Sequence, residues 1–230
     1  MDGTCAPSIQ GLPITHEWLK TNDAISPTVK IASNAKCIVV IEKEGIYTRL
    51  SEDRFYEQFP CILITGRGFP DLATRAFVHS LHTTLQIPVI GICDCNPFGV
   101  SVLQTYEKGA DNIGLDGTLY SVPVHWLGLK PSHVMSLRKD AQSKPIQESK
   151  YLPDIVFQQM TPLDFKRVQK LIAKERAKDG LCEEQIRELI LMQKNGYKVE
   201  LESFHWLGMN YLTNWLMKIL QGLIQMDPLM

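Results

Sequence analysis

"VIGICDCNPFG", Val89–Gly99, is the stretch on which the reading of the fold turns. An apolar run climbs to Asp94, a second polar side chain stands at Asn96, and a Pro-Phe-Gly turn follows. A short continuous apolar run bounded by turn residues marks a strand buried on both faces. Side chains alternate along a strand, so Asp94 and Asn96 face the same way if extended backbone persists to residue 96. Such a pair can cap the next helix or sit in a turn, which is ordinary chemistry for Asp and Asn before Pro and Gly. It can also be half of a binding site.

Working outward, the same pattern repeats upstream. "CIVVIE" (37–42) and "CILITG" (61–66) read as buried strands, and "IPVIGICD" (87–94) is the third. Helical spacing runs through 45–59, with Ile46, Leu50 and Phe55 on one side. It recurs through 67–85, which opens on Pro-Asp and carries Leu72, Phe77, Val78 and Leu81, and through 99–110. Strand–helix alternation predicts an α/β fold, a parallel sheet with helices on its faces. Downstream, 119–129 can add a strand, while 162–178, 182–196 and 199–220 read as helices and 136–149 as polar loop. Residues 1–35 form a lead-in without a long periodic element.

The bulk composition narrows the function. The 230 residues carry 24 Lys and Arg against 25 Asp and Glu, a net charge of −1, so bulk charge does not hold this chain to nucleic acid, although a local groove remains open. Six cysteines lie mostly in apolar runs without the spacing of a structural zinc site, which favours buried reduced thiols. The C-terminal "YLTNWLMKILQGLIQM" is short and interrupted by Lys218, and reads as a core helix rather than a membrane span.

In parallel sheets ligands sit beyond the carboxyl ends of the strands. The first strand ends at Glu42 and the third at Asp94, so two carboxylates and the Asn96 amide oxygen can share one small site. All are hard oxygen donors, which suits Mg²⁺ completed by water and phosphate oxygens. Glu44 competes as a ligand if the first strand runs on. Arg67, after the second strand, belongs on the same rim, where it can hold a phosphate, sit solvated, or pair with Asp71; Lys43 can act likewise or balance its glutamate neighbours. The basic stretch 166–178 leaves Val168, Leu171 and Ile172 for the core and reads as a solvated face ahead of the alternative, a DNA-tracking surface. Trp126, Trp206 and Trp215 read as packing residues.

"VVIEKEGIYTRL", "PCILITGRGFPDLATRAFVHSL", "IPVIGICDCNPFGVSVLQTY" and "NGYKVELESFHWLG" together resemble the family of the meiotic DNA double-strand-break protein and its relative, the A-type chain of topoisomerase VI. The likeness runs through most of 36–215, fits the eukaryotic meiotic branch better than the archaeal enzyme, and points to a plant-like paralogue. It implies a Toprim-like, Rossmann-like sheet with flanking helices and C-terminal helices: a lead-in over 1–35, a Toprim domain with its helical part over 36–216, and a tail over 217–230. It implies Mg²⁺ held by Glu42, Asp94 and Asn96, with Asn96 standing where a second aspartate is usual. Arg67 and Lys43 are then DNA-phosphate contacts.

The same resemblance implies double-stranded DNA as partner, a homodimer or a heterodimer with a paralogue, an ATPase-type topoisomerase VI B-like subunit, and the nucleus as location. The family's nucleophilic tyrosine lies in a winged-helix-like domain ahead of the Toprim domain. About 35 residues precede the first strand, too few for a typical domain. None of Tyr47, Tyr56, Tyr106, Tyr120, Tyr151, Tyr197 and Tyr211 sits in a matching motif. The expectation is a chain that binds metal and DNA without cleaving alone. The alternative is a non-catalytic dimerisation module with a degenerate metal site.

Overall fold

A computed structural model describes residues 11–14, 31–109, 119–138, 151–177 and 182–226. Most of the 1–35 lead-in and most of the polar 136–149 stretch lie outside the described residues.

Four strands form a parallel sheet: β1 (Cys37–Ile41), β2 (Cys61–Thr65), β3 (Val89–Ile92) and β4 (Val124–Gly128), in the spatial order β2-β1-β3-β4. All five residues of β1 and all four of β3 are buried, as their unbroken apolar character requires of strands covered on both faces. Ile38, Val39 and Val40 are wholly inaccessible to solvent, and each such side chain contributes roughly 1.5–3 kcal/mol of burial.

The register aligns Ile41 of β1 with both Thr65 of β2 and Ile92 of β3. Successive strands are laid down on opposite sides of β1, so the chain changes direction between β1 and β3. That crevice is the topological switch point, where open α/β sheets bind ligands.

The helices cover the faces. The span 45–59 is broken into α1 (Glu44–Glu52) and α2 (Phe55–Gln58), because Arg54 adopts a left-handed backbone (φ 48°). Ile46, Leu50 and Phe55 are buried. Helix α3 (Leu72–Leu85) starts later than residue 67 because Arg67 (φ 56°) and Pro70 hold a loop open, after which Asp71 caps the helix by accepting from the Thr74 N–H at 2.7 Å. Helix α4 (Pro97–Lys108) starts earlier than residue 99, with Pro at its first position and Asn96 as its cap. It lies close on the sheet because Gly91 has no Cβ; one there would stand 2.6 Å from Leu103 Cδ1.

Beyond β4 come α5 (Pro131–Ser136), β5 (Gln158–Gln159), α6 (Pro162–Arg176), α7 (Glu183–Asn195) and β6 (Tyr197–Lys198), with β5 and β6 paired antiparallel. Val168, Leu171 and Ile172 of α6 are buried, as the apolar spacing requires. The span 199–220 is not one helix. A 3-10 helix over Leu201–Leu207 ends at Gly208 (φ 122°), and α8 (Tyr211–Met226) follows, running on past residue 217 with Leu216 and Leu220 in the core.

This break corrects one packing expectation. In a three-residue period Leu201 and Phe204 face inward, and Trp206 turns outward with 55% of its surface exposed. Trp126 is buried, and Trp215 packs edge-on against Phe204 and His133. Cys37, Cys61, Cys93 and Cys95 are buried free thiols, whereas Cys182 is exposed where it precedes α7. Among the described residues no helix is long and apolar enough to cross a membrane.

Candidate metal and phosphate site at the switch point

Glu42 follows β1 directly and keeps the ladder going by one step, its N–H donating to the Ile92 carbonyl at 3.0 Å. Its side chain therefore reaches across the ends of β1 and β3. There Glu42 Oε2 accepts the backbone N–H of Asp94 at 3.1 Å. Both residues are enclosed, Glu42 at 7% exposure and Asp94 at 2%. The start of α4 gives them room: a Cβ on Gly99 would lie 2.5 Å from Glu42 Oε2 and 3.1 Å from the Asp94 carbonyl oxygen.

A third segment closes the site. Val199 bridges antiparallel to Cys95, with reciprocal N–H···O bonds of 2.9 and 3.1 Å. This carries "VELE" (Val199–Glu202) across the strand ends. The Leu201 N–H donates to Asp94 Oδ1 at 2.9 Å. Glu200 and Glu202, on either side, project toward Lys43. The Lys43 ammonium stands 2.9 Å from Asp94 Oδ2, 2.9 Å from Glu202 Oε2 and 3.4 Å from Glu200 Oε2.

The electrostatics follow from this crowding. Burial, and then repulsion from Asp94, push the Glu42 carboxyl up from 4.5 to about 7, against the opposing bond from the Asp94 N–H. Asp94 is also raised, first by burial, although the Leu201 N–H and Lys43 pull the other way. Burial works against the Lys43 charge, but its hydrogen bonds to Asp94 and Glu202 outweigh it and hold the ammonium above its usual range. Two enclosed carboxyls that resist ionising at one spot make a place where added positive charge is strongly favoured.

The remaining expected site residues stand around this centre. Asn96 has extended backbone (φ −153°, ψ 160°), and its Oδ1 accepts the Gly99 N–H at 2.7 Å, so that oxygen serves as the cap of α4. Arg67 lies on the adjoining loop, next to Gly68, whose N–H donates to the Glu42 carbonyl at 2.8 Å. The Arg67 guanidinium pairs with Glu44 at 3.0 Å, both exposed, and so Glu44 is turned toward Arg67. Lys43 faces the acids rather than open solvent.

The donor chemistry suits a hard divalent cation. Glu42 and Asp94 offer only oxygens, and Mg²⁺ is commonly bound through one or two carboxylates, with water and phosphate completing its shell. Among the described residues no group of three His, Cys, Asp or Glu side chains is close enough to share a metal. A site of two carboxylates, completed by water and phosphate, is what these residues could form. Glu200 and Glu202 escaped the sequence reading. They lie in "NGYKVELESFHWLG", and their alternation within "VELE" becomes meaningful once Val199 is seen to pair with Cys95.

A parallel sheet with a glutamate after its central strand and an aspartate after the neighbouring one, at the switch point, defines a Toprim-type α/β domain. The chain belongs to the Toprim domain family of the topoisomerase 6 A-type chain and Spo11, which it matches over residues 37–219. It is 34% identical over 193 residues to meiotic recombination protein SPO11-2 of Oryza sativa subsp. indica, covering 83% of this chain and 45% of that protein. It is 33% identical over 192 residues to meiotic recombination protein SPO11-2 of Arabidopsis thaliana, covering 83% and 45%. With the A-type chain of DNA topoisomerase 6 of Arabidopsis thaliana it shares 33% identity over 195 residues, covering 83% of this chain and 42% of that protein. The chain thus spans less than half the length of these curated relatives.

Proposed function

We propose that this chain is the DNA-binding, Mg²⁺-binding Toprim portion of a topoisomerase VI A-type transesterase that makes meiotic double-strand breaks in the nucleus. The observation that carries the reading is the Glu42–Asp94 contact across the ends of β1 and β3, with both side chains buried. Glu42 and Asp94 would hold the metal, with the Asn96 amide oxygen, whose second lone pair is left over from the cap bond, as the third oxygen donor. Bound Mg²⁺ supplies charge stabilisation for a phosphodiester undergoing nucleophilic attack.

The protein's own groups do the rest. The Leu201 N–H and the start of α4 orient Asp94 and Glu42, and the covering "VELE" segment limits water around them. Lys43 neutralises the cluster and, with a metal held there, would be available to a DNA phosphate. Arg67, on the exposed rim, offers a second phosphate contact. The family likeness supports a homodimer or a heterodimer with a paralogue, and association with an ATPase-type B-like subunit. No tyrosine here matches the family's nucleophile motif. Tyr106, for example, is buried with its phenol pushed well above its usual range by desolvation, the opposite of an activated nucleophile.

A second reading draws on two contacts. Asn96 spends its oxygen on the α4 cap, and Lys43 already neutralises Asp94, as in a dimerisation module whose metal site has decayed. One experiment separates the two. The purified chain is incubated with duplex DNA, with and without Mg²⁺, and scored for retardation and for covalent protein–DNA product. Mg²⁺-dependent binding that Glu42→Ala abolishes, without covalent product, is expected. Binding indifferent to Mg²⁺ and to that substitution favours the module, and a tyrosyl–DNA adduct contradicts both.

A further inference from the structure

Away from the strand ends, α4 and α6 enclose a groove of about 730 Å³. Its walls carry Lys108, Lys166, Arg167, Lys170 and Lys174, and among the described residues no Asp or Glu lines it. Lys166, Lys170 and Lys174 recur every fourth residue, which sets them in one row along α6 at intervals of about 6 Å. The two acids of α6 are committed elsewhere. Asp164 pairs with Lys198 at 2.9 Å and caps the helix, while Glu175 is fully buried and accepts from Gln104 Nε2 at 2.6 Å. Lys166 and Lys170, both exposed, therefore present two positive charges one turn apart on this helix.

The groove is also apolar at its mouth. Leu163 is 68% exposed and Phe69 48%, and both line it together with the buried Leu171. We propose that this groove docks an acidic amphipathic helix of a protein partner. Carboxylates spaced four residues apart on that helix match the lysine row, and an apolar flank beside them covers Leu163 and Phe69, the helix-in-groove mode of recognition. Nucleic acid fits less well. A duplex would place phosphates near the lysine tips and leave Leu163 and Phe69 wet. A single strand stacking on Phe98 would compete with Arg167, which lies over that ring at 5.1 Å, and with Phe69, whose ring meets it in a T-shaped contact at 5.0 Å.

The proposal is independent of the metal site. The test is fluorescence anisotropy on the full chain with a labelled synthetic helical peptide carrying Glu at every fourth position and Leu along the adjacent flank. A scrambled peptide of the same composition and a duplex oligonucleotide serve as competitors. The patterned peptide is expected to bind about tenfold more tightly than the scrambled one, and the exposed double variant K166E/K170E to weaken it by about tenfold. Leu163→Ser should weaken it several-fold at unchanged charge, and Glu42→Ala should leave it intact. Equal binding of the scrambled peptide, indifference to both groove variants, or displacement by duplex with the same loss in K166E/K170E would overturn the proposal, the last by making the groove a nucleic-acid surface.

Discussion

Lys43 Nζ lies 2.9 Å from Asp94 Oδ2, and that one ammonium is shared with Glu202 and Glu200. A tethered cation thus occupies the position where an acidic pocket most needs charge. Replacing it by Lys43→Gln leaves the enclosed Asp94 without its counter-ion, at a cost of about 2–3 kcal/mol, discounted from a fully buried pair because Lys43 is partly solvated. Mg²⁺ should then raise the melting temperature of the variant more than that of the parent chain. An equal shift in both would show that Lys43 and the metal do not compete.

Glu42 gives the fold a pH signature. Its carboxyl is raised from 4.5 to about 7, so the folded state retains a proton that the unfolded chain releases. Stability supplied by that proton is complete below about pH 4.5 and is lost as pH rises toward 7, with a limiting slope near 1.4 kcal/mol per pH unit. Glu42→Gln keeps the Asp94 N–H bonded and removes the titration. In urea unfolding its advantage over the parent should grow across that window and level off above it. A constant difference would contradict the assigned origin of the shift.

Gly99 is the steric condition for the acid pair. A methyl at this position meets Glu42 Oε2 at 2.5 Å and Cys93 Cβ at 3.0 Å, and the glycine sits in a helix whose start cannot retreat while Asn96 and Pro97 hold it. Gly99→Ala should destabilise by about 1–3 kcal/mol and expel the Glu42 carboxylate. Loss of the Glu42-dependent pH slope in this variant is the measurement that separates displacement from general loosening.

Asn96 can be tested without losing its cap. Aspartate caps as well as asparagine does, so Asn96→Asp should change stability by no more than about 0.5 kcal/mol. An added carboxylate at the strand ends should strengthen Mg²⁺ binding by about tenfold if residue 96 is a ligand. Unchanged affinity by calorimetry would remove residue 96 from the donor set.

The sheet was legible because β1 and β3 announce themselves as uninterrupted apolar runs, as strands buried on both faces do; β2 carries a similar run but lies at the sheet edge, where Ile62, Leu63 and Thr65 are only partly buried. Glu42 and Asp94 were legible for the same reason: each is the first charge after such a run. What the sequence hid depends on backbone turns that composition does not encode. Arg54 and Gly208 break two periodic stretches by adopting positive φ, and the second break turns Trp206 outward. The Asn96 cap and the approach of "VELE" depend on where β3 stops and on the pairing of Cys95 with Val199, a contact between residues distant in the chain. The groove between α4 and α6 was hidden similarly. The basic stretch reads as an ordinary solvated face until α4 is seen to wall it.

The most direct test of the central claim is calorimetric titration of Mg²⁺ into the folded chain and its Glu42→Gln and Asp94→Asn variants near neutral pH. One class of saturable site in the parent chain, weakened by about tenfold or more in each variant, is the expected result. No saturable binding in the parent, or binding that survives both substitutions, would contradict the claim that these two strand-end carboxylates hold the metal.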